Sequence, residues 1–351
     1  MSCFTRIHAP PGHIIGRTRM PRVAVIATGG TIASTATDSG VVASQSAATL
    51  LEAAGVVGVD VETVDLMTVG SYRLTLGHLR EISDAVAELL ARDTDRVDGI
   101  VITHGTDTLE ETAILLDLVH DDPRPVILTG AQRAGDAVDG DGPRNLADAV
   151  RVAASPEARD LGVLVVFAGR ILAARGTRKM HTTALSAFDS VIGGSVGDVS
   201  AGTVSITSTP RRPKPLPRPT VDFDRIRVDL VETYPGADAA LIRAAVAAGA
   251  TGVVIAGTGI GNANPSVVEA ATELLASGTV LLLSTRVPEG PVAGVYGNGG
   301  GADLVAAGVP AASGLPATQL RILLALWISH RRHESEQARS LIDIYADNKE
   351  D

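Results

Sequence analysis

Three hydroxyls and a carboxylate stand within six residues at 103–108, Thr103-His104-Gly105-Thr106-Asp107-Thr108. Just before them, Gly99-Ile100-Val101-Ile102 has the apolar, β-branched character of a buried parallel strand. Just after, residues 109–120 (LEETAILLDLVH) read as a helix, with Glu110 and Glu111 in its first turn, where the helix dipole favours anions. In open α/β sheets ligands bind at such strand-to-helix junctions. Threonine and aspartate also cap helices there, and both readings stand on this junction alone.

A second junction of the same kind lies upstream. Residues 22–27 (RVAVIA) form a strand that runs into Thr28-Gly29-Gly30-Thr31-Ile32-Ala33, where two glycines allow a sharp turn and close backbone approach beside Thr31. A third polar strand end is Met67-Thr68-Val69-Gly70-Ser71-Tyr72, after an alternating strand at 60–66. A fourth is Gly130-Ala131-Gln132-Arg133, after the buried strand 125–129.

The elements that must position these groups alternate regularly. Residues 34–46 read as a loop over the first strand's end, and 47–54 as a short helix. Residues 76–91 have helical apolar spacing at Leu79, Ile82, Val86, Leu89 and Leu90. A helix at 143–154 and a strand at 162–167 follow. Strict strand–helix alternation predicts α/β architecture, a larger doubly wound N-terminal domain on a parallel sheet. Residues 207–219 (TSTPRRPKPLPRP) hold five prolines and no strand or helix period, as an interdomain linker would. Beyond it the α/β rhythm resumes in a smaller C-terminal domain: a helix at 239–248, strands at 252–255 and 280–284, and a helix at 269–276. A glycine-rich loop at 290–301 and a long apolar helix at 316–330 complete it. The expected division is a tail at 1–20, domains at 21–206 and 223–351, and a linker at 207–222. The two halves share no residue repeat.

Composition narrows the class. The 351 residues are 45% hydrophobic but only 3% aromatic, which suits aliphatic parallel strands under Ala-rich helices. A net charge of −10 argues against nucleic acid as a partner. The single cysteine, Cys3, excludes an intramolecular disulfide and a thiolate metal cluster. Residues 1–20 contain Pro10, Pro11, Gly12 and Gly16 and no secretory apolar core, and Met20 is a candidate start residue. With no apolar run of transmembrane length, the expectation is a cytoplasmic protein without a membrane partner.

Several chemistries are poorly supported. Gly257-Thr258-Gly259-Ile260-Gly261 resembles part of a nucleotide-binding turn, but Asn262 stands where its last glycine belongs, and it lies away from the first strand. TGGTIA has no phosphate-loop lysine. The eight histidines form no HExxH pair, and His104 is expected to be structural, its ring bonded near the strand end. No GxSxG marks a serine hydrolase. Chemistry at a threonine hydroxyl remains, and that hydroxyl is weak at neutral pH without a nearby base or proton relay.

TGGTIA and THGTDT, in this order, resemble the two threonine signatures of the bacterial-type L-asparaginase family. DGPRNL (141–146), the Lys179 segment, GTGIGNAN (257–264) and STRVPEG (284–290) also fall in family order. The resemblance implies acyl transfer from the side-chain amide of L-asparagine to a threonine, followed by hydrolysis to L-aspartate and ammonia, with no metal or organic cofactor. By match Thr31 is the nucleophile, and Thr106, Asp107 and Lys179 form a second set. The Thr106 N–H is suited to the oxyanion. Ser71 and Asp107 are implied to hold the substrate's α-carboxylate and α-ammonium, with Tyr72, Gly105 and Ala131 also at the substrate. Asn264 matches a residue that reaches a neighbouring subunit's substrate, which implies a homodimer or homotetramer.

Two departures stand out. The family usually has glutamine where Tyr72 stands, and residues 35–46 lack the loop tyrosine usually found near the nucleophile. Tyr296, in the flexible stretch VYGNGGG, is the proposed substitute phenol. The alternatives are a broader glutaminase-asparaginase and a non-catalytic amino-acid-binding protein on the same scaffold.

Overall fold

The computed structural model of the chain describes residues 19–37, 40–43 and 46–330. The expectations for Cys3 and for the tail before Arg19 lie outside the described residues. The chain opens with strand β1 (Arg22–Ala27), a hairpin of β2 (Ser34–Thr37) and β3 (Gly40–Ala43), helix α1 (Ala47–Ala54) and β4 (Asp60–Asp65). Next come α2 (Leu76–Leu90), β5 (Gly99–Thr103), α3 (Leu109–Val119), β6 (Val126–Thr129), α4 (Gly142–Ala154) and β7 (Val163–Phe167). Strands β4, β1, β5, β6 and β7 lie side by side in that order, all parallel.

Both faces of β1, β5, β6 and β7 are covered, so their sequences are mainly apolar, whereas the edge strand β4 (DVETVD) alternates. Successive side chains still point to opposite faces. Val23, Val25, Val101, Ile127 and Leu164 pack with α1 and α4 on one side. Ala24, Ile26, Ile100, Ile102, Leu128 and Val165 pack with α2 and α3 on the other.

Strict alternation ends at β7, contrary to the sequence expectation. The chain folds back as β8 (Arg170–Ala173), later adds β11 (Ser195–Ser200) and β12 (Thr203–Ile206), and extends the sheet with three antiparallel strands. Two Ala-Gly turns do this: Ala168 and Gly169 have φ of 51° and 78°, and Ala201 and Gly202 have 48° and 80°. Paired positive φ is what a two-residue hairpin requires. Alanine is an uncommon residue there, so neither turn announces itself. Between β8 and β11 sits a separate ribbon of β9 (Thr177–Lys179) and β10 (Phe188–Ser190). The expected loop at 34–46 is also corrected: β2 and β3 pair antiparallel, consistent with their β-branched Thr35, Thr37, Val41 and Val42.

The smaller C-terminal domain has a three-stranded parallel sheet of β13 (Val228–Glu232), β14 (Gly252–Gly257) and β15 (Val280–Thr285). Helices α5 (Ala240–Ala247), α6 (Pro265–Ala276) and α7 (Gly301–Ala306) belong to this domain, and α5 and α6 pack on one side of its sheet. Helix α8 (Ala317–His330) is buried over most of its circumference because it lies between that sheet and α3. Residues 207–219 contain no strand or helix, yet they are docked rather than free. Leu216 N–H donates to Leu118 O at 2.7 Å, and Arg212 donates to His120 O at 2.8 Å. Among the described residues no helix is long and apolar enough to cross a membrane.

Candidate active site

The carboxyl ends of β1, β4, β5 and β6 converge, and glycine makes the convergence close. Gly30 has φ of +82°, and a Cβ there would lie 2.4 Å from the Gly105 N, so no larger residue fits without moving backbone. A Cβ on Gly105 would stand 2.5 Å from Ser71 Oγ. The turn carrying Thr31, the turn carrying Thr106 and the turn carrying Ser71 therefore touch through backbone. Thr28 ties the ends of β1 and β5, its hydroxyl donating to Thr103 O at 2.8 Å.

The polar groups of 103–108 do not cap α3. Thr108 is the N-cap residue, but its hydroxyl donates instead to Ser71 O at 2.9 Å. Asp107 N–H donates to Ser71 Oγ at 3.2 Å, and among the described residues the Ser71 hydroxyl proton has no acceptor, which leaves it for a ligand. Lys179, arriving from β9, places Nζ 2.8 Å from Thr106 Oγ1 and 2.9 Å from Asp107 Oδ1. Thr106 is buried and the Lys179 side chain is 18% exposed, while the Asp107 carboxylate is 55% exposed and faces outward. Three residue types that sequence places 73 positions apart at the widest thus form one continuous chain of contacts.

Supporting residues fix this chain. His104 is buried, with Nδ1 2.7 Å from Gly105 O and Nε2 2.9 Å from Thr112 Oγ1. Burial pushes its pKa down to about 4, so the ring is neutral at pH 7 and structural, as expected. Glu110 accepts the Lys179 N–H at 2.7 Å and the Thr318 hydroxyl at 2.7 Å, and burial pushes its pKa up. The helix-dipole reading of Glu110 missed this role because both partners are distant in sequence.

Asn145 and Asp141 were also missed as individual residues, although both lie in DGPRNL. Asn145 donates to Gly130 O at 3.0 Å and accepts the Ala168 N–H at 3.0 Å. Asp141 accepts the N–H groups of Gln132 and Arg133. Together they hold the 130–133 turn, in which Ala131 is buried, against the site. The signal was present in the spacing: an aspartate at a helix start with an asparagine one turn on.

Other expected residues are placed differently. Thr31 is half-buried in a 3-10 turn, Thr31–Ala33, directly after the Gly30–Gly105 contact. Tyr72 is 75% exposed, and its ring lies over Gly70, where a Cβ would meet Cε1 at 2.7 Å. Tyr296 is 60% exposed in the C-terminal domain, and its carbonyl accepts the Ala302 N–H at 3.0 Å. No hydrogen bond joins the Tyr296 hydroxyl to Thr31 or Thr106 among the described residues. Asn264 is the N-cap of α6: Oδ1 accepts from Ser266 and Val267 N–H, and Nδ2 donates to Ala237 O at 2.8 Å. Among the described residues no three His, Cys, Asp or Glu side chains stand together as a metal-ligand set.

Comparison with known proteins points in one direction. The family model described as "Asparaginase, N-terminal" matches residues 22–212, and that described as "Glutaminase/Asparaginase C-terminal domain" matches residues 227–341. An L-asparaginase of Bacillus licheniformis is 34% identical over 88% of this chain and 95% of its own length. A glutaminase-asparaginase of Pseudomonas fluorescens is 34% identical over 78% of each chain. A crystal structure described as a probable cytoplasmic L-asparaginase of Campylobacter jejuni superposes with a TM-score of 0.81. It is 30% identical and covers 93% of this chain and all of that one.

Proposed function

Because this chain belongs to the bacterial-type L-asparaginase family, we propose that it hydrolyses the side-chain amide of L-asparagine with Thr31 as nucleophile. The products are L-aspartate and ammonia. The observation that carries the reading is the Thr106–Lys179–Asp107 chain of contacts, built beside the backbone contact that precedes Thr31.

The steps follow from the chemistry of an amide. The Thr31 oxygen attacks the side-chain carbonyl carbon and gives up its proton, and the C–N bond breaks as the departing amide nitrogen takes that proton and leaves as ammonia. Water then attacks the resulting ester, releases the carboxylate and restores the Thr31 hydroxyl. The Thr106 N–H, at a glycine-bordered turn, is the proposed donor to the tetrahedral oxyanion. Lys179, in contact with Thr106 Oγ1, holds that hydroxyl in one orientation for water and for proton transfer. The half-exposed Asp107 carboxylate and the free Ser71 hydroxyl proton suit an α-ammonium and an α-carboxylate respectively.

Ammonia release by the purified protein with L-asparagine is the first test. No release would favour the binding-protein alternative. A broader glutaminase-asparaginase is the second reading, favoured by the glutaminase-asparaginase relatives and by Tyr72, which stands where the family usually has glutamine and is exposed over Gly70. The ratio of kcat/KM for asparagine and glutamine separates the two. A homodimer or homotetramer, cytoplasmic residence and a domain division at 207–222 complete the proposal.

A further inference from the structure

Lys179 stands on a piece of structure too small to hold it. β9 has three residues and pairs with the three residues of β10 in a two-stranded ribbon. Such a ribbon is marginal by itself, yet Nζ must stay within hydrogen-bond reach of two acceptors. The missing support comes from the first turn of α8, in the other domain.

Gln319 is fully buried there, and its amide grips the corner that leads into β9. Nε2 donates to Ala174 O at 2.8 Å and Thr177 O at 3.0 Å, with a longer contact to Glu110 O at 3.4 Å. Oε1 accepts the Gly176 N–H at 3.0 Å. One residue earlier, Thr318 donates to one oxygen of Glu110 while the other oxygen accepts the Lys179 N–H. The α8 turn therefore fixes β9 at both of its ends. Neither Thr318 nor Gln319 bonds to Thr106 Oγ1 or the Asp107 carboxylate.

We propose that Thr318 and Gln319 are positioning residues for Lys179, so that the C-terminal domain sets the height of its amine against Thr106 and Asp107. This rests on the reading that Lys179 serves amide hydrolysis. Because the bonds run to the backbone at and just before the start of β9 and, through Glu110, to the Lys179 N–H, their loss moves the amine without removing a group that recognises the amino acid. The effect belongs in kcat rather than KM.

The test uses full-length protein and asparagine turnover. Gln319→Leu, close in volume, is expected to lower kcat about tenfold or more and leave KM within about twofold. Thr318→Val is expected to lower kcat several-fold, and Thr318→Ser, which keeps the hydroxyl, to restore it. Combined with Lys179→Met, Gln319→Leu is expected to add no further loss, since an amine already absent cannot be displaced. Folded Gln319→Leu and Thr318→Val enzymes with wild-type kcat would overturn the proposal, and so would losses that multiply with that of Lys179→Met. If Gln319→Leu does not fold, the Thr318→Val and Thr318→Ser pair decides by itself. A wild-type rate in Lys179→Met would overturn this inference together with the reading beneath it.

Discussion

The Thr106 hydroxyl can accept from Lys179 Nζ and still keep its own proton to donate, which is why one residue can serve both as a contact and as a relay. Lys179→Met, isosteric but without the amine, should therefore lower kcat about a hundredfold, the scale of a lost proton-relay or oxyanion term. Thr31→Ala should abolish ammonia release while leaving the circular dichroism spectrum unchanged, because a single partly buried hydroxyl in a turn contributes little packing. Near-wild-type activity in that variant would reassign the nucleophile. Tyr296→Phe tests the substitute phenol: a group serving Thr31 lowers kcat, and wild-type kcat would remove Tyr296 from the site. His104 supplies a pH signature. Its folded pKa, about 4, lies below the unfolded value near 6.5, so the unfolded chain binds more protons between them. Stability should fall as pH drops from about 6.5 toward 4, by up to about 3 kcal/mol from this group. Glu110, with its pKa raised, contributes in the opposite sense as pH rises above the ordinary glutamate range. Urea midpoints for wild type and His104→Gln across that interval check the sign, and identical pH profiles would contradict it.

At the scale of elements, the strand ends form the site only because Gly29, Gly30, Gly105 and Gly130 let their turns approach closely. Gly30→Ala places a methyl into the Gly105 backbone and forces a positive φ on alanine. It should inactivate the enzyme and lower Tm, and an active, unshifted variant would show that the turns can separate. Asn145 performs the parallel task from α4. Asn145→Ala leaves the buried Gly130 O and the partly buried Ala168 N–H without their partner, at a cost of about 1–3 kcal/mol, and frees the 130–133 turn. The expected result is a lower denaturation midpoint together with a raised KM, on the proposed reading that Ala131 lies at the substrate. An unchanged KM would mean that the turn holds its place without Asn145.

At the scale of the molecule, the two domains share a core rather than merely touching. Leu79 of α2, Ile114, Leu115 and Leu118 of α3, Phe223 and the apolar side chains of α8 form one buried cluster. The proline-rich segment at 207–219 lies docked along α3, so the halves are expected to unfold in one transition. Calorimetry with two resolved peaks would contradict this. The proposed oligomer concerns Asn264, whose Nδ2 among the described residues donates to Ala237 O, one bond for its two hydrogens. Light scattering should show a dimer or tetramer, and a fully active monomer would remove Asn264 from the site.

Much was legible in the sequence, for an identifiable reason. Parallel strands buried on both faces must be apolar throughout, and a polar cluster at the end of such a run marks the one place where a ligand can reach the sheet. The polar clusters that hold Thr31, Thr106 and Asp107 stood out on those grounds, Ser71 entered through the resemblance, and the paired threonine motifs named the family. Antiparallel β8, β11 and β12 were not readable, because their hairpins turn on Ala-Gly pairs that carry no strong local signature. Lys179 could be chosen among its basic neighbours only by resemblance. That its amine meets Thr106, and that Glu110, Thr318 and Gln319 hold it there, was decided by tertiary structure alone. Hydrogen bonds spanning 69 to 208 residues leave no period or spacing in the chain, since nothing local requires them.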